Sequence, residues 1–432
     1  MLIAVAGATP TAIEHPRHAV VLALAFLVTA FLSRHNPEVV STLPLARIAL
    51  PVAQVASASV VSVVVGLITV GSIPPAAPLL AGTLIVLLLT AWFEARSRRR
   101  RFVRVLVLGT TDESRELQAT VTDVGAHHYR VVATTDELDH LDETLVASRS
   151  DLVVFTDHID RSAVLHHVAQ AMRTRRVHAV PLSTFCETAL GVVPLASVDA
   201  VWLTALASPD AACHESPSGR AFDVVVSLLL SIPTMFLVAL LAPFIRADGG
   251  PVFFRQWRVG RDGRPFEILK LRTMTGEGAD WSSADDPRIT RLGAVLRRTH
   301  IDELPQVLNV LKGDMSIVGP RPEQVLISHD LENEIPLFPY RHMVRPGITG
   351  WARVRCGYAS STEQSALKLG NDLFYIKHRS LVLDVAIVLE TLRLTLFERQ
   401  HEVRPPAADY VLGPSRTAFG APAPPGLTKG SA

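Results

Sequence analysis

Three apolar segments lie within the first hundred residues, at positions 19–32, 46–70 and 77–93. A transmembrane helix needs about 20 apolar residues, so the second segment is long enough to span and the first is short. No small-residue cleavage site follows the first segment, which argues against a signal peptide. The third segment is followed by five arginines within six residues, a pattern that marks the cytoplasmic end of a span. We predict three transmembrane helices within residues 1–101, with the N-terminus outside.

From residue 102 the pattern changes to short apolar runs separated by helical segments. Strands are predicted at 103–108, 131–133, 152–155 and 177–182, and a helix at 113–120. This alternation predicts a small Rossmann-like α/β domain over residues 102–207, followed by a linker rich in small residues at 208–219.

The first turn of this domain does not have the pattern of a dinucleotide site. Gly109 is not followed by the second and third glycines of that fingerprint, and Asp112 and Glu113 would repel a pyrophosphate. We therefore expect a structural, oligomerising or regulatory module rather than a cofactor-binding one.

Residues 221–245 form a fourth apolar segment, and a plain membrane crossing is the simplest interpretation. Arg220 and Arg246 flank it, however, and arginine disfavours export of either end. Ser231 and Pro233 predict a helix break near its centre, because proline removes a donor and serine can bond a freed carbonyl. We therefore predict a re-entrant helical hairpin that enters and leaves by the cytoplasmic face, with the crossing as the alternative.

Two further segments complete the hydrophobic pattern. Residues 381–397 are apolar but carry Asp384, Glu390 and Arg393, which predicts a helix lying in the membrane interface rather than a span. Residues 401–432 are rich in proline, glycine and alanine and are predicted to be disordered.

Composition narrows the class of protein. The 432 residues predict two or three domains, and a net charge of +1 says nothing about partners. A mean hydropathy of +0.29 is high for a soluble protein and agrees with membrane segments. Three widely spaced cysteines form neither a disulfide framework nor a zinc pattern, and they fit reduced cytosolic thiols. Because the arginine run follows a predicted span, we interpret it as a membrane anchor and predict no nucleic-acid partner.

Asp302 and Glu303 are the strongest candidates for chemistry. Alone, two adjacent acids before a short helix at 307–312 would be read as a helix cap. Their surroundings argue otherwise, because cations precede them and a stiff Gly-Pro-Arg-Pro turn follows at 319–322. The preceding cations are Lys270, Arg272, Arg288, Arg291, Arg297 and Arg298, and the turn that follows supplies Arg321. Two acids among so many cations predict a site for a polyanion with a divalent metal.

The block at 299–322 resembles the signature of the bacterial sugar transferases, the monotopic polyprenyl-phosphate phosphoglycosyl transferases. The resemblance continues through further ordered blocks and covers about residues 218–400. These blocks are residues 253–260, 270–274, 286–293 and 345–351. It implies a membrane protein of the α+β class, in the large form with N-terminal transmembrane helices and a Rossmann-like domain. Its mainly helical catalytic domain would span residues 220–400. The large form usually carries four transmembrane helices, and three are predicted here.

The resemblance also implies a reaction. Asp302 would attack a UDP-sugar to form a phosphosugar–enzyme and release UMP, and polyprenyl phosphate (undecaprenyl phosphate) would then take the sugar phosphate. Glu303, with Asp302, would hold Mg²⁺, and Asp372 would help to position the nucleotide. The predicted phosphate-binding residues are Lys270, Arg272, Arg288, Arg298 and Arg321. The expected role is the start of exopolysaccharide, capsule or O-antigen synthesis at the cytoplasmic face of the inner membrane, by a multi-pass protein that can form a homo-oligomer.

Several alternatives stay open at the level of sequence. His300 is interpreted as a neighbour of Asp302 rather than as a general base. Residues 345–351 predict a turn with an aromatic at the membrane interface, which serves either the fold or the acceptor. A non-catalytic scaffold or nucleotide-sugar sensor is a rival function. The sugar itself depends on loops at 276–283 and 353–369 and cannot be read from the sequence.

Overall fold

The computed structural model describes most of the chain from residue 102 to residue 397. The described residues are 102–123, 129–138, 140–156, 167–168, 177–207, 216–247, 249–276, 286–356 and 362–397. The predicted helices within 1–101, residues 208–215 of the predicted linker, most of the loop at 276–283 and the tail at 401–432 lie outside them. Residues 217–219 of the predicted linker are helical.

The first part of the described chain is a parallel α/β module. Its elements are β1 (Val103–Leu108), α1 (Thr111–Asp123), β2 (Tyr129–Thr135), α2 (Leu141–Ser148), β3 (Leu152–Phe155), β4 (His178–Pro181), α3 (Leu182–Phe185) with a π-helical turn at Cys186–Leu190, a 3₁₀ turn at Leu195–Ser197, and α4 (Ala200–Ala207). The four strands pair in parallel in the order β2-β1-β3-β4, with Val105 beside both Val131 and Leu152. Apolar clusters cover both faces of this sheet, which explains why β1 is apolar at almost every position. The predicted strands and helix are confirmed.

The second part begins with one long helix and continues as a mixed domain. Its elements are α5 (Pro217–Arg246), β5 (Phe253–Val259), β6 (Pro265–Leu271), α6 (Arg291–Thr299), a 3₁₀ turn at Ile301–Gln306, α7 (Val307–Lys312), β7 (Ser316–Val318), α8 (Val325–Glu334), a 3₁₀ turn at Phe338–Met343, β8 (Gly347–Thr349), α9 (Trp351–Cys356), α10 (Thr362–His378) and α11 (Leu381–Phe397). Strands β5 and β6 form an antiparallel hairpin, and β7 and β8 form a parallel pair.

Helix α5 is the one helix of the described residues that is long and apolar enough to cross a membrane. Only 11% of its most apolar 18 residues are buried, and large side chains such as Ile232, Met235 and Phe236 are exposed around its centre. Both ends are held by polar contacts. Near the N-terminus, Asp223 accepts hydrogen bonds from the Ser316 hydroxyl and the Ile317 amide of β7, at 2.8 and 2.9 Å.

The predicted break at Ser231 and Pro233 is not an interruption of α5, since helical structure continues through both residues. Pro233 lacks the N–H that would bond to the Leu229 carbonyl. Ser231 does not replace that bond; its hydroxyl donates to the Ser227 carbonyl at 2.7 Å. A proline and a serine bonded in this way are known causes of helix bending. The structure nevertheless has one continuous helix in place of the two separate segments that the sequence predicted.

The α/β module and the second domain meet at Glu187, which lies in the π-helical turn. Its Oε1 accepts hydrogen bonds from the Trp202 indole at 2.7 Å and from Lys377 at 3.0 Å. Its Oε2 accepts from Lys377 at 2.7 Å and pairs with His378 at 3.1 Å. Lys377 and His378 end helix α10, so this carboxylate joins the two parts of the chain.

Two predicted interface features are buried against the protein. Trp351 is 1% exposed, and its indole donates to the Gly191 carbonyl at 2.7 Å, so it supports the fold instead of lying at a membrane interface. Helix α11 packs into the core through Leu383, Ala386 and Ile387, while Leu381 and Leu392 on the same helix are exposed. One face of α11 is therefore buried, and the prediction that it lies in the membrane interface stays a prediction. Periodicity could not distinguish these outcomes, because core and interface both select apolar faces.

Candidate active site

The two candidate acids lie on the 3₁₀ turn at Ile301–Gln306, between α6 and α7. His300 ends α6 in a left-handed conformation with φ of 56°, and its carbonyl accepts the Glu303 amide at 3.1 Å. This tight turn directs both acids inward, where Asp302 is 8% and Glu303 is 5% exposed. A simple helix cap would leave such acids at the surface, so the capping interpretation fails.

Glu303 is surrounded by three cations. Its Oε1 accepts hydrogen bonds from Lys270 at 2.9 Å and from Arg321 at 3.0 Å, and its Oε2 accepts from Arg353 at 3.0 Å. Burial alone would raise the pKa of Glu303, but Arg321, Lys270 and Arg353 together hold it well below the usual range. Glu303 is therefore the ionised centre of a cationic cluster.

Asn309, near the start of α7, positions the strand that carries Lys270. Asn309 on α7 donates to the Glu267 carbonyl at 2.8 Å and accepts from the Leu269 amide at 3.1 Å. These two bonds hold α7 against β6, the strand that carries Lys270. Asn309 thus has a structural role.

Arg321 and Arg353 reach Glu303 because the chain crosses itself closely after β7 and β8. The Gly319 amide donates to the Thr349 carbonyl and the Gly347 amide to the Pro320 carbonyl, both at 2.9 Å. A side chain at Gly319 or Gly347 would collide with the opposite backbone, so glycine permits this approach.

Asp302 differs from Glu303 in its hydrogen bonding. Its buried Oδ1 has no hydrogen-bond partner among the described residues. Burial, together with the neighbouring Glu303 carboxylate, raises the pKa of Asp302 to about 6. A carboxylate with an unpaired oxygen beside a cluster of cations can accept a metal ion or attack an electrophile.

Three of the predicted phosphate-binding cations lie elsewhere. Arg272 donates to the Ile245 carbonyl at 2.5 Å and the Pro251 carbonyl at 2.8 Å, and it caps the end of α5. Arg288 makes a two-pronged pair with Asp286, its Nη2 lying 2.7 Å from Oδ2. Arg298 is exposed and makes no polar contact with the described residues. Arg272 and Arg298 do not join the cluster around Glu303, because residues that are near in sequence point in different directions.

Asp372 lies close to the site but contacts another residue. It is 2% exposed and accepts a hydrogen bond from Arg341 at 2.8 Å. The same guanidinium group of Arg341 donates to the Arg321 carbonyl at 3.0 Å and pairs with Glu323 at 3.5 Å. Asp372 therefore supports the segment that carries Arg321.

The structure adds two residues that the sequence did not assign. Arg353 completes the cluster around Glu303, and Lys368 lines an adjoining pocket together with Arg321, Arg353 and Asp372. Lys368 is four residues before Asp372 on α10, so a search for neighbours on one helical face could have found it. No comparable sequence signal marked Arg353.

The carboxylates of Asp302 and Glu303 are the groups at this site that could hold a metal. The described residues contain no cluster of three or more histidine, cysteine or acidic side chains. A magnesium ion often takes one or two protein carboxylates and completes its shell with water and phosphate oxygens. The unpartnered Oδ1 of Asp302 fits that coordination.

Comparison with known proteins agrees with the family resemblance that the sequence motifs indicated. Residues 215–398 match the model of the family described as bacterial sugar transferase. The chain is 47% identical over 184 residues to a UDP-N-acetylgalactosamine-undecaprenyl-phosphate N-acetylgalactosaminephosphotransferase of Aeromonas hydrophila, which covers 41% of this chain and 43% of the relative. It is 32% identical over 328 residues to an undecaprenyl-phosphate glucose phosphotransferase of Komagataeibacter xylinus, covering 70% of this chain and 60% of the relative.

A shorter relative is matched over nearly its whole length. An exopolysaccharide production protein, PSS, of Rhizobium leguminosarum bv. phaseoli is 41% identical over 187 residues, which is 40% of this chain and 92% of the relative. By contrast, the chain spans less than half of the Aeromonas relative. The matched region contains every residue of the Glu303 cluster. The chain belongs to the bacterial sugar transferase family.

Proposed function

We propose that this protein transfers a sugar-1-phosphate from a UDP-sugar to polyprenyl phosphate and releases UMP. The names of several relatives support this assignment, since they describe undecaprenyl-phosphate transferases that use UDP-sugars. Those names differ in the sugar, N-acetylgalactosamine in one and glucose in others, so they leave the sugar of this chain open. The product would start an exopolysaccharide, capsule or O-antigen.

One observation carries the proposal. Asp302 is a buried carboxylate with one unpartnered oxygen, and its neighbour Glu303 is held by Lys270, Arg321 and Arg353. A non-catalytic scaffold or sensor would have no need to bury a carboxylate without a partner, since this costs free energy.

The residues suggest a two-step mechanism. An oxygen of Asp302 forms a bond to the sugar-bearing phosphorus, the bond from that phosphorus to the bridging oxygen breaks, and its electron pair leaves on UMP. A phosphate oxygen of the polyprenyl acceptor then attacks the same phosphorus, and Asp302 departs as a free carboxylate. Arg321, Arg353 and Lys270 supply positive charge where the phosphoryl oxygens gain negative charge.

A divalent magnesium ion fits this site. Asp302, through its unpartnered oxygen, and Glu303 would hold it. When bound, it would neutralise charge on the diphosphate of the donor. Both oxygens of Glu303 already accept hydrogen bonds from cations, so the ion would share this carboxylate with them.

The attachment of α5 supports a re-entrant path through one membrane face. Near its N-terminus, Arg220 donates to the Val310 and Leu311 carbonyls at the end of α7. Near its C-terminus, Ile245 packs with Leu271 and Leu296 of the same domain. A bilayer core is about 30 Å thick, and a crossing would separate these ends by that distance. The active site would then face the cytoplasm at the inner membrane, with the residues before 102 supplying further spans.

A topology test can separate this path from a crossing. Single cysteines placed at Ser218 and Ala247, one near each end of α5, should both react with a membrane-impermeant maleimide only after the cells are opened. Labelling of one end in intact cells would overturn the re-entrant path.

The reaction can be tested with purified protein in detergent. We expect a UDP-sugar labelled in its sugar phosphate to leave the label on the protein and to release UMP without acceptor. Asp302→Asn should abolish both signals. Full labelling of that variant would remove Asp302 as the nucleophile, and absence of UMP release by the wild type across a panel of UDP-sugars would favour the scaffold.

A further inference from the structure

A second cationic pocket adjoins the Glu303 cluster. It lies between the segment after β7, the start of α9 and the middle of α10. Its charged lining consists of Arg321, Glu323, Arg341, Arg353, Lys368 and Asp372. Arg321 and Arg353 also bind Glu303, so the pocket and the candidate active site share two guanidinium groups.

The charges of this pocket are paired with one exception. Arg321 and Arg353 bond to Glu303, while Glu323 and Asp372 both pair with Arg341. Lys368 forms no hydrogen bond or ion pair with the rest of the described chain. Burial lowers the pKa of Lys368 to about 8, with Glu323 and Asp372 opposing this effect and Arg321 and Arg341 adding to it. Lys368 is partly buried. A cation that is partly removed from water without a partner is unfavourable, and a bound anion would relieve this cost.

The lining of the pocket favours the nucleoside side of the donor over a lipid. Ile348 and Ala352 supply its few apolar side chains, and the rest of the lining is charged groups, Thr349 and glycine backbone. A polyprenyl chain needs an extended apolar surface, whereas a ribose and a base can use carbonyl, amide and carboxylate groups.

We propose, on the basis of the function given above, that Lys368 binds the phosphate of the donor that leaves with the nucleoside. When the bond from the sugar-bearing phosphorus to the bridging oxygen breaks, the electron pair passes to the nucleoside monophosphate. Lys368 stabilises the added negative charge there, and no proton transfer is required. Lys368 thus contacts the leaving group, while Lys270 is bonded to Glu303 and does not line this pocket.

The test compares Lys368→Met and Lys368→Arg with Lys312→Met in the full-length protein. Lys312 is an exposed lysine on α7, so its replacement controls for loss of a positive charge. Thermal unfolding in detergent identifies variants that fail to fold. The Arg variant keeps the charge, so it keeps the proposal testable if the Met variant is unstable.

The first readout is the release of UMP from UDP-sugar without acceptor. A charge-assisted contact to phosphate predicts a loss of about tenfold or more for Lys368→Met, with Lys368→Arg within about threefold of the wild type. If this half-reaction is unchanged and only transfer to polyprenyl phosphate is slowed, Lys368 serves the acceptor phosphate and the proposal is overturned.

The second readout is binding of UMP compared with uridine, measured by calorimetry. Lys368→Met should weaken UMP about tenfold or more and leave uridine within about twofold. Equal weakening of both ligands, or of neither, would overturn the assignment to phosphate. Since this readout needs no turnover, a wild type that binds UMP without releasing it from any UDP-sugar would count against the proposed reaction alone.

Discussion

Two buried glutamates of this protein accept hydrogen bonds from basic side chains, yet their neighbourhoods differ. Glu187 receives hydrogen bonds from Trp202 and Lys377 and pairs with His378, so both of its carboxylate oxygens have partners within the protein. Glu303 is equally well bonded, but the adjacent Asp302 keeps a buried oxygen without a partner. A closed cluster holds two parts of a fold together, whereas a cluster beside an unsatisfied carboxylate is prepared for a ligand. The unpaired group, rather than the number of charges, distinguishes the two.

Replacement of Asp302 should give the largest effect on activity. Asp302→Asn is expected to lower UMP release on the order of 10³-fold or more. It should also raise the free energy of unfolding at pH 7 by about 2 kcal/mol. The pKa of Asp302 is raised to about 6, so its carboxylate is costly to bury when it is ionised at pH 7. Joint measurement of UMP release and the unfolding midpoint in detergent checks both. A variant that loses activity and stability together would instead indicate a structural role.

Glu303→Gln should lower both the stability of the protein and its rate of UMP release. Without the negative charge, Lys270, Arg321 and Arg353 repel one another, and we expect a loss of about 3 kcal/mol in stability. Activity should fall about 100-fold or more, since the cluster would no longer hold the cations in place. The same two assays measure these effects, and a variant as stable as the wild type would contradict the central role given to Glu303.

Glu187→Ala should affect stability alone. Removal of one partner from a buried ionic cluster costs about 3 kcal/mol, so the unfolding midpoint should fall. The folded fraction should release UMP at the wild-type rate, measured at a temperature where the variant is folded. A selective loss of activity would show that this junction controls the active site through α10.

The stability difference between wild type and Glu187→Gln should depend on pH. Burial would raise the pKa of Glu187, but hydrogen bonds from His378 and Lys377 lower it overall. An acid with a lowered pKa in the folded state stabilises the protein above its unfolded pKa and loses this contribution as pH falls. The difference in unfolding midpoint should therefore be full above about pH 4.5 and shrink below it. A difference that does not change on acidification would contradict the ionised state of Glu187.

The smallest effect is expected at Arg298, which makes no polar contact with the described residues. Arg298→Ala should release UMP within about twofold of the wild type, whereas Arg321→Ala should lose about 100-fold. Measured side by side, these variants test the structure against the sequence, which placed both arginines in one phosphate site. Equal losses would mean that Arg298 joins the site when substrate binds.

Local patterns predicted much of this molecule correctly. The strands and first helix of the α/β module follow from apolar runs that a parallel sheet covered on both faces requires. Asp302, Glu303, Lys270 and Arg321 were recognised as ordered motifs, and the structure brings all four together. Arg272 does not join these four residues. It follows the last residue of β6 and donates to carbonyls at and just beyond the end of α5.

The sequence by itself determined which elements form and which acids matter, because periodicity and motif spacing are local properties. The tertiary structure alone decided which cations reach Glu303, since Arg321 and Arg353 arrive only where Gly319 and Gly347 let two backbones cross. It also decided that Trp351 lies in the core and that Lys368 has no hydrogen-bond or ion-pair partner among the described residues. Such outcomes depend on contacts between residues far apart in the chain, and no local pattern records them.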